Sequence, residues 1–203
     1  MSAKVVLATR NHKKVEELRE ILADVCAELG LDIVGLDEYP DAPDVVEDGV
    51  TFEENALLKA TSACRATGLP ALADDSGLAV DVLGGAPGIF SARWSGGAGD
   101  RANLELLLAQ LSDVRDDHRG AAFVCAAALV LPDGRGAVEL GRFTGTVARE
   151  PRGTGGFGYD PIFVPTGSER TLAEYRAEEK NGVSHRALAF RALAPHIREC
   201  LGT

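Results

Sequence analysis

Apolar positions recur along the chain with two periods, and together they lay out strands alternating with helices. Residues 4–9, KVVLAT, form a short β-branched and apolar run that predicts a buried first strand. Val15, Leu18, Leu22 and Val25 then return on one helical face. A second strand is expected over residues 32–36, followed by an acidic, proline-marked loop over 37–48. Thr51-Phe52-Glu53-Glu54 reads as a capping box, with Thr51 at the N-cap and Glu54 at N3. The helix it opens carries Ala56, Leu57, Ala60, Ala63 and Cys64 inward and ends near Gly68. Leu104, Leu107, Leu108 and Leu111 mark a third helix, capped by Asp100. Residues 121–131 make a long apolar strand, and Pro132-Asp133-Gly134 turns it into residues 137–147. That hairpin makes the sheet mixed rather than purely parallel. A second capping box, Thr171 to Glu174, predicts a short helix ending near Lys180-Asn181-Gly182. Ser184 is expected to cap the last helix, which Pro195 should kink. No internal repeat interrupts the pattern.

The pattern breaks most informatively over residues 72–97, LADDSGLAVDVLGGAPGIFSARWSGG. An apolar run stops on Asp74 and Asp75, and Ser76-Gly77 is expected to turn the chain before a second apolar run. A strand ending there would place acids at a sheet rim, where open α/β proteins bind ligands. Neighbouring carboxylates repel, so one pKa rises unless a cation sits between them, and oxygen ligands of this kind suit Mg²⁺ rather than Zn²⁺. An ordinary strand and turn is the alternative.

Composition narrows the picture. The chain has 203 residues, long enough for one well-filled core, read as a single bilobed domain over 1–203. A net charge of −10 argues against a nucleic-acid binder or a membrane-surface protein, which need basic patches. A small anionic ligand needs only a local cluster of cations. The four cysteines form no CxxC pair and read as reduced, mostly buried residues, which points to the cytoplasm. No signal peptide and no apolar run of membrane-spanning length is visible.

Three further stretches carry candidate chemistry. Thr9-Arg10-Asn11-His12-Lys13-Lys14 links the first strand to the first helix, where free N–H groups and lysines suit a phosphate. The alternative makes Asn11 a helix cap and the lysines solvated charges. Residues 153–158, GTGGFG, match the dinucleotide pattern, but Tyr159-Asp160-Pro161 and Pro165 forbid the helix that pattern requires. A glycine loop carrying Phe157 and Tyr159 suggests a ring for stacking, or aromatic anchors of the loop. His185 and Arg186 open the last helix against its dipole, which suggests an anion or polar ligand.

Taken in order, TRNHKK, VTFEENA, the 72–97 stretch, GTGGFGYDPIF and EEKNGVSHR resemble the inosine/xanthosine triphosphate pyrophosphatase family, across nearly the whole chain. The resemblance implies an α/β fold: an elongated mixed β-sheet flanked by helices, in two lobes with a nucleotide cleft between them. It also implies a cytoplasmic homodimer that, with Mg²⁺, hydrolyses deaminated purine nucleoside triphosphates to the monophosphate and pyrophosphate. It places phosphate contacts on Thr9, Asn11 and Lys14, with Arg10, His12 and Lys13 in the same loop. Asp75 falls at the general base and metal ligand, with Ser76 touching substrate and Glu47 as a further metal acid; Asp74 joins them as a metal candidate from its place beside Asp75. Phe157, Gly158, Tyr159, Asp160, Lys180, His185 and Arg186 fall at base-side and remaining substrate contacts. Arg186, His185 or backbone N–H groups would donate to the 6-keto oxygen of inosine and xanthosine. Arg10 and Lys13 stand where many members have Gly, and Trp94 where Tyr or Phe is usual. The rivals are a pyrophosphatase of the same fold with another base preference, and a non-catalytic nucleotide-binding module.

Overall fold

The computed structural model describes residues 3–176, 179 and 184–202. The expected alternation is present: β1 (Ala3–Leu7), α1 (His12–Ile21), α2 (Ala23–Leu29), β2 (Leu31–Gly35), α3 (Phe52–Thr67), β3 (Ala71–Val80), α4 (Asp100–Gln110), β4 (Gly120–Val130), β5 (Gly136–Val147), β6 (Phe163–Pro165) and α5 (His185–Leu201). The strands form one mixed sheet in the order β2-β1-β3-β4-β5-β6. β1 is parallel to β2, with Ala3 opposite Leu31, and parallel to β3, with Val6 opposite Ala71; β5 and β6 are antiparallel.

The chain divides into two compact units, Met1–Asp75 with Cys125–Gly141 and Arg186–Thr203, and Ser76–Val124 with Arg142–His185. In the first unit, alternation along each strand sends side chains to opposite faces. Leu72, Cys125, Ala127 and Leu129 pack with Val15, Leu18, Leu22 and Val25 of the first helical stretch and with Phe190, Leu193 and Ile197 of α5. On the other face Ala73, Ala126 and Ala128 meet Ala56 and Ala60 of α3. Residues no larger than alanine at that contact let the helix lie close to the strands.

The second unit has its own core: Leu78, Val80, Leu104, Leu107, Leu111, Phe123, Val147, Tyr159, Ile162 and Phe163. Arg119 is buried there and donates to the carbonyls of Leu111, Val147 and Ala148, so the end of α4 is tied to the end of β5. Its charge is solvated by backbone dipoles rather than by a carboxylate.

Several expectations change. The single first helix breaks at Leu22, whose φ of −103° and ψ of 17° leave the helical region, although its apolar stripe continues. Asp100 is not the cap of α4; Gly99 holds that place and the Asp100 carboxylate accepts from Gly158 N–H at 3.0 Å. At α3 the Thr51 hydroxyl accepts from Glu54 N–H, but Glu54 reaches back to Val50 N–H rather than to Thr51. The Thr171 box closes fully, yet opens only a 3-10 turn, Leu172–Glu174. The expected end of that helix, at 180–182, lies outside the described residues. α5 runs through Pro195 to Leu201.

The main correction concerns DDSG. The chain does not turn at Ser76-Gly77; β3 runs straight through both. Gly77 is needed for close approach instead: a Cβ there would meet the Gly88 carbonyl at 2.4 Å and Ser91 Oγ at 2.5 Å. Ser91 uses that proximity to accept from Leu78 N–H.

Candidate active site

Because β3 stays extended, Asp74 and Asp75 point to opposite faces of the sheet. They do not share one cation, as side-by-side acids at a rim would. Asp74 is 7% exposed and lies on the α1 and α5 face. Its Oδ2 accepts from Arg186 Nε at 3.2 Å and Nη2 at 2.9 Å, and Lys14 Nζ stands 3.4 Å away. Burial alone would raise this carboxyl; Arg186 and then Lys14 outweigh it and hold it far below the usual carboxylate range. The third arm of the network runs from Arg186 Nη1 to Glu17 Oε2 at 2.9 Å. Burial opposes the Arg186 charge, but Asp74 and Glu17 fix it in place.

Asp75 lies on the α3 face. Its Oδ1 accepts from Lys59 Nζ at 3.1 Å and its Oδ2 from Asn55 Nδ2 at 3.2 Å. The same Lys59 ammonium reaches Glu47 Oε2 at 3.2 Å, so two carboxylates converge on one cation. Burial pushes Asp75 up; Lys59 and Asn55 pull it back without cancelling the rise, and the Glu47 charge adds to it. Asn55, itself buried, also accepts from Gly49 N–H at 2.9 Å, and so ties the acidic loop to the same group. A Cβ on Gly49 would meet Asn55 Oδ1 at 2.6 Å, which explains glycine at that contact.

In the phosphate-loop candidate, Asn11 is the helix cap: its Oδ1 accepts from Lys13 N–H at 3.0 Å, and its carbonyl takes Lys14 N–H. The helix end is thereby largely satisfied, and attraction for an anion there falls to side-chain cations. Thr9 Oγ1 accepts from Asn11 N–H. His12 is exposed, 3.8 Å from Asp37, and Lys13 is exposed. Arg10 turns away to the carbonyls of Leu36 and Ala42. A cavity of about 400 Å³ beside this loop is lined by Thr9, Arg10, Asp44, Glu47 and Lys59 among others.

In the second unit, Phe157 is 71% exposed at the tip of the glycine loop. Tyr159 and Asp160 are anchors: Tyr159 OH donates to the Ser91 carbonyl at 2.9 Å, and Asp160 Oδ2 accepts from Phe157 N–H at 2.8 Å. Burial drives the Tyr159 phenol well above its ordinary value. Gly158 at φ 59° donates its N–H to Asp100. A three-residue 3-10 turn, Asp160–Ile162, and the short β6 follow the glycines in place of the α-helix that a dinucleotide site requires. His185 stacks on Phe123 at 5.1 Å between ring centroids, and Ser76 is half-buried in β3. Lys180 lies outside the described residues. Arg186, expected to offer donors to a purine, instead spends three of them on Asp74 and Glu17.

Lys59 and Asn55 escaped the sequence reading. Their signal was an asparagine and a lysine four apart, on the same helical side as the alanine stripe of α3, where polar residues need a partner. Glu17 and Arg186 lie 169 positions apart, with no local signal to join them.

A mixed α/β sheet whose central strand carries two acids, one held by Arg186 and Lys14 and the other by Lys59, defines the class. The chain belongs to the Ham1 family, whose model matches residues 5–196. It is 66% identical over 200 residues to a dITP/XTP pyrophosphatase of Streptomyces avermitilis, covering 98% of this chain and 99% of that one. Against the dITP/XTP pyrophosphatase of Mycobacterium tuberculosis the identity is 55% over 196 residues, covering 96% and 95%. Among solved structures, a HAM1 protein from Coxiella burnetii superposes with a TM-score of 0.88 at 41% identity, covering 97% and 99% of the two chains. The nucleoside-triphosphatase / dITP/XTP pyrophosphatase of Mycobacterium abscessus gives 0.79 at 53% identity, covering 96% and 98%.

Proposed function

We propose that the protein is a nucleoside triphosphate pyrophosphatase that cleaves between the α and β phosphorus, with deaminated purine nucleotides as its substrates. The observation that carries this reading is Asp75: a partly buried carboxylate of raised basicity, aimed by Asn55 and Lys59. A base so placed takes the proton of an attacking water, and buried carboxylates are suited to that work. Lys59 and Lys14 supply positive charge toward phosphate oxygens as negative charge shifts to the leaving pyrophosphate. No side chain needs to form a covalent intermediate. Cys125 is buried and its thiol is pushed far up, the opposite of an activated nucleophile.

Magnesium fits part of the expected donor set. Asp75 and Glu47 already turn one oxygen each toward a single cationic centre, and hard oxygen donors are what Mg²⁺ takes. Asp74 fits less well, because Arg186 and Lys14 both bond its Oδ2 and already neutralise its charge. Among the described residues no group of three or more candidate ligands stands together, so Asp75 and Glu47 would hold the ion jointly with phosphate oxygens and water. Bound there, Mg²⁺ would neutralise phosphate charge.

The choice of deaminated purines rests on the relatives' names, dITP/XTP pyrophosphatase; the ranking with guanine behind and adenine and pyrimidines last rests on donors that would meet a 6-keto oxygen and be left unpaired by adenine, with Phe157 and His185 as the contacts to test. A homodimer acting in the cytoplasm belongs to the same reading. Among the described residues no helix is long and apolar enough to cross a membrane. The test is pyrophosphate release from a panel of nucleoside triphosphates, with and without Mg²⁺. Release from inosine and xanthosine triphosphates only with the metal present is expected. Equal release from adenosine triphosphate would overturn the base assignment, and release of orthophosphate the bond assignment.

A further inference from the structure

The acidic loop between β2 and α3 carries six carboxylates over residues 37–48: Asp37, Glu38, Asp41, Asp44, Glu47 and Asp48. Like charges at this density repel and favour an extended, mobile chain. Residues 43–49 have no regular structure, so nothing in their own backbone resists that. Yet Glu47 must stand within 3.2 Å of Lys59 to complete the Asp75 cluster. Two tethers hold it. The far one runs from Gly49 N–H to Asn55 and from Val50 N–H to Glu54.

The near tether is Arg10. Its Nη1 donates to the Leu36 carbonyl at 3.2 Å and its Nη2 to the Ala42 carbonyl at 2.7 Å, with Asp44 3.8 Å from Nε. One rigid fork thus joins the first turn of the loop to the residue where its irregular part begins. Alongside it, Leu36 N–H donates to the Thr9 carbonyl at 2.9 Å, which docks the loop's start against the end of β1. Lysine cannot reproduce the fork, since an ammonium is a single point of charge without planar, divergent donors.

We infer that Arg10 is a positioning residue that braces the acidic loop and sets Glu47 against Lys59, and that it is not a phosphate contact. Resting on the proposed pyrophosphatase reading, the inference makes Arg10 act through Glu47 alone. A phosphate contact would act on substrate directly, whatever stands at position 47.

The experiment has two arms. In the first, hydrogen exchange is followed in Arg10→Ala and Arg10→Lys of the full chain, each checked for a melting temperature near that of wild type. The hydrogen-bonded amides of the loop, Tyr39 and Ala42 at its near end and Gly49 at its far end, should exchange at least about tenfold faster in Arg10→Ala, with Arg10→Lys between it and wild type, because local opening sets exchange. Unchanged exchange there overturns the brace whatever the kinetics show. In the second arm, a double-mutant cycle pairs Arg10→Ala with Glu47→Gln in pyrophosphate release from inosine triphosphate. Arg10→Ala should lower kcat about tenfold with KM within about threefold, and should cost nothing further in the Glu47→Gln background. Equal losses in both backgrounds, or a tenfold rise in KM at constant kcat, would return Arg10 to the phosphate. If Glu47→Gln alone keeps full turnover, the site reading of Glu47 fails, and exchange still decides the brace.

Discussion

The two faces of β3 use the same residue type for opposite ends. On the α1 and α5 face, Asp74 is buried and answered by Arg186, Lys14 and, through Arg186, Glu17. On the α3 face, Asp75 keeps some solvent access and shares its one ammonium with Glu47. The first carboxyl is pushed down and the second up, although the two residues are neighbours in sequence. The difference lies in how many cations each carboxylate can claim for itself. A buried acid with more than one cation of its own is held firmly ionised; one that must share a cation is held less firmly, as the proposed general base needs to be. A strand's alternation lets a single dipeptide serve both purposes.

The largest expected effect tests the active face. Asp75→Asn removes the proton acceptor and should lower kcat by about 10²–10⁴-fold, the usual worth of a general base. Stability should not fall with it. Folding raises the Asp75 carboxyl, so the fold favours its protonated form. That contribution is present below the ordinary carboxylate value near ~4 and is lost as pH rises through the raised one. Asparagine carries no such dependence, so the variant should melt at or above the wild-type temperature at pH 7, and lose any advantage in acid. Turnover within a few-fold of wild type would remove Asp75 from the mechanism.

Asp74→Asn should break the other face in the opposite currency. Arg186 would keep Glu17 but lose its main partner, and orphaning one side of a buried pair costs about 3–5 kcal/mol. Here the low end, about 3 kcal/mol, is expected, read from urea denaturation at pH 7. Its pH dependence is the mirror of that at Asp75: the depressed carboxyl stabilises above the ordinary value near ~4 and loses that as pH falls through the folded one. The gap to wild type should therefore be full near neutrality and close in strong acid. A variant as stable as wild type at pH 7 would make the anchor ornamental.

This division was only half legible in the chain. The apolar stripe of Val15, Leu18, Leu22 and Val25 was readable because a helix must bury one face, and all four residues are buried. The glycine loop was correctly refused as a dinucleotide motif because proline geometry is local. Ser76-Gly77 misled, since in sequence a glycine looks the same whether it supplies a turn or room for a neighbour. Only the approach of Gly88 and Ser91 tells them apart. Arg186 looked like a ligand contact because basic residues at a helix start oppose its dipole; its compensating carboxylates, Asp74 and Glu17, come from distant strands and helices.

Lys14 touches both purposes, since it stands beside Asp74 yet its side chain remains partly exposed, three residues after Asn11 in the candidate phosphate loop. Lys14→Ala should lower kcat/KM for inosine triphosphate by about ten- to a hundredfold, as expected for a charge-assisted contact worth about 1.5–3 kcal/mol. Lys13→Ala, which removes an exposed charge one position away, should stay within a few-fold. The reverse order in steady-state kinetics would shift the register of the phosphate loop by one residue.

The smallest effect sharpens the comparison most cleanly. Glu17 contacts Arg186 from α1 and bonds to neither Asp74 nor Asp75. If the α1 and α5 face is an anchor, Glu17→Gln should cost only stability. The amide oxygen still accepts from Arg186, so the loss is the charge and not the hydrogen bond, about 1 kcal/mol at this largely buried site. Because Arg186 keeps both bonds to Asp74, β3 should hold its course and Asp75 its partners. Denaturation midpoints should therefore shift slightly while kcat, KM and the acid limb of the pH–rate profile stay at wild-type values. A change in that limb would mean that the Glu17 charge reaches the base through the strand, and that the two faces are coupled rather than separate.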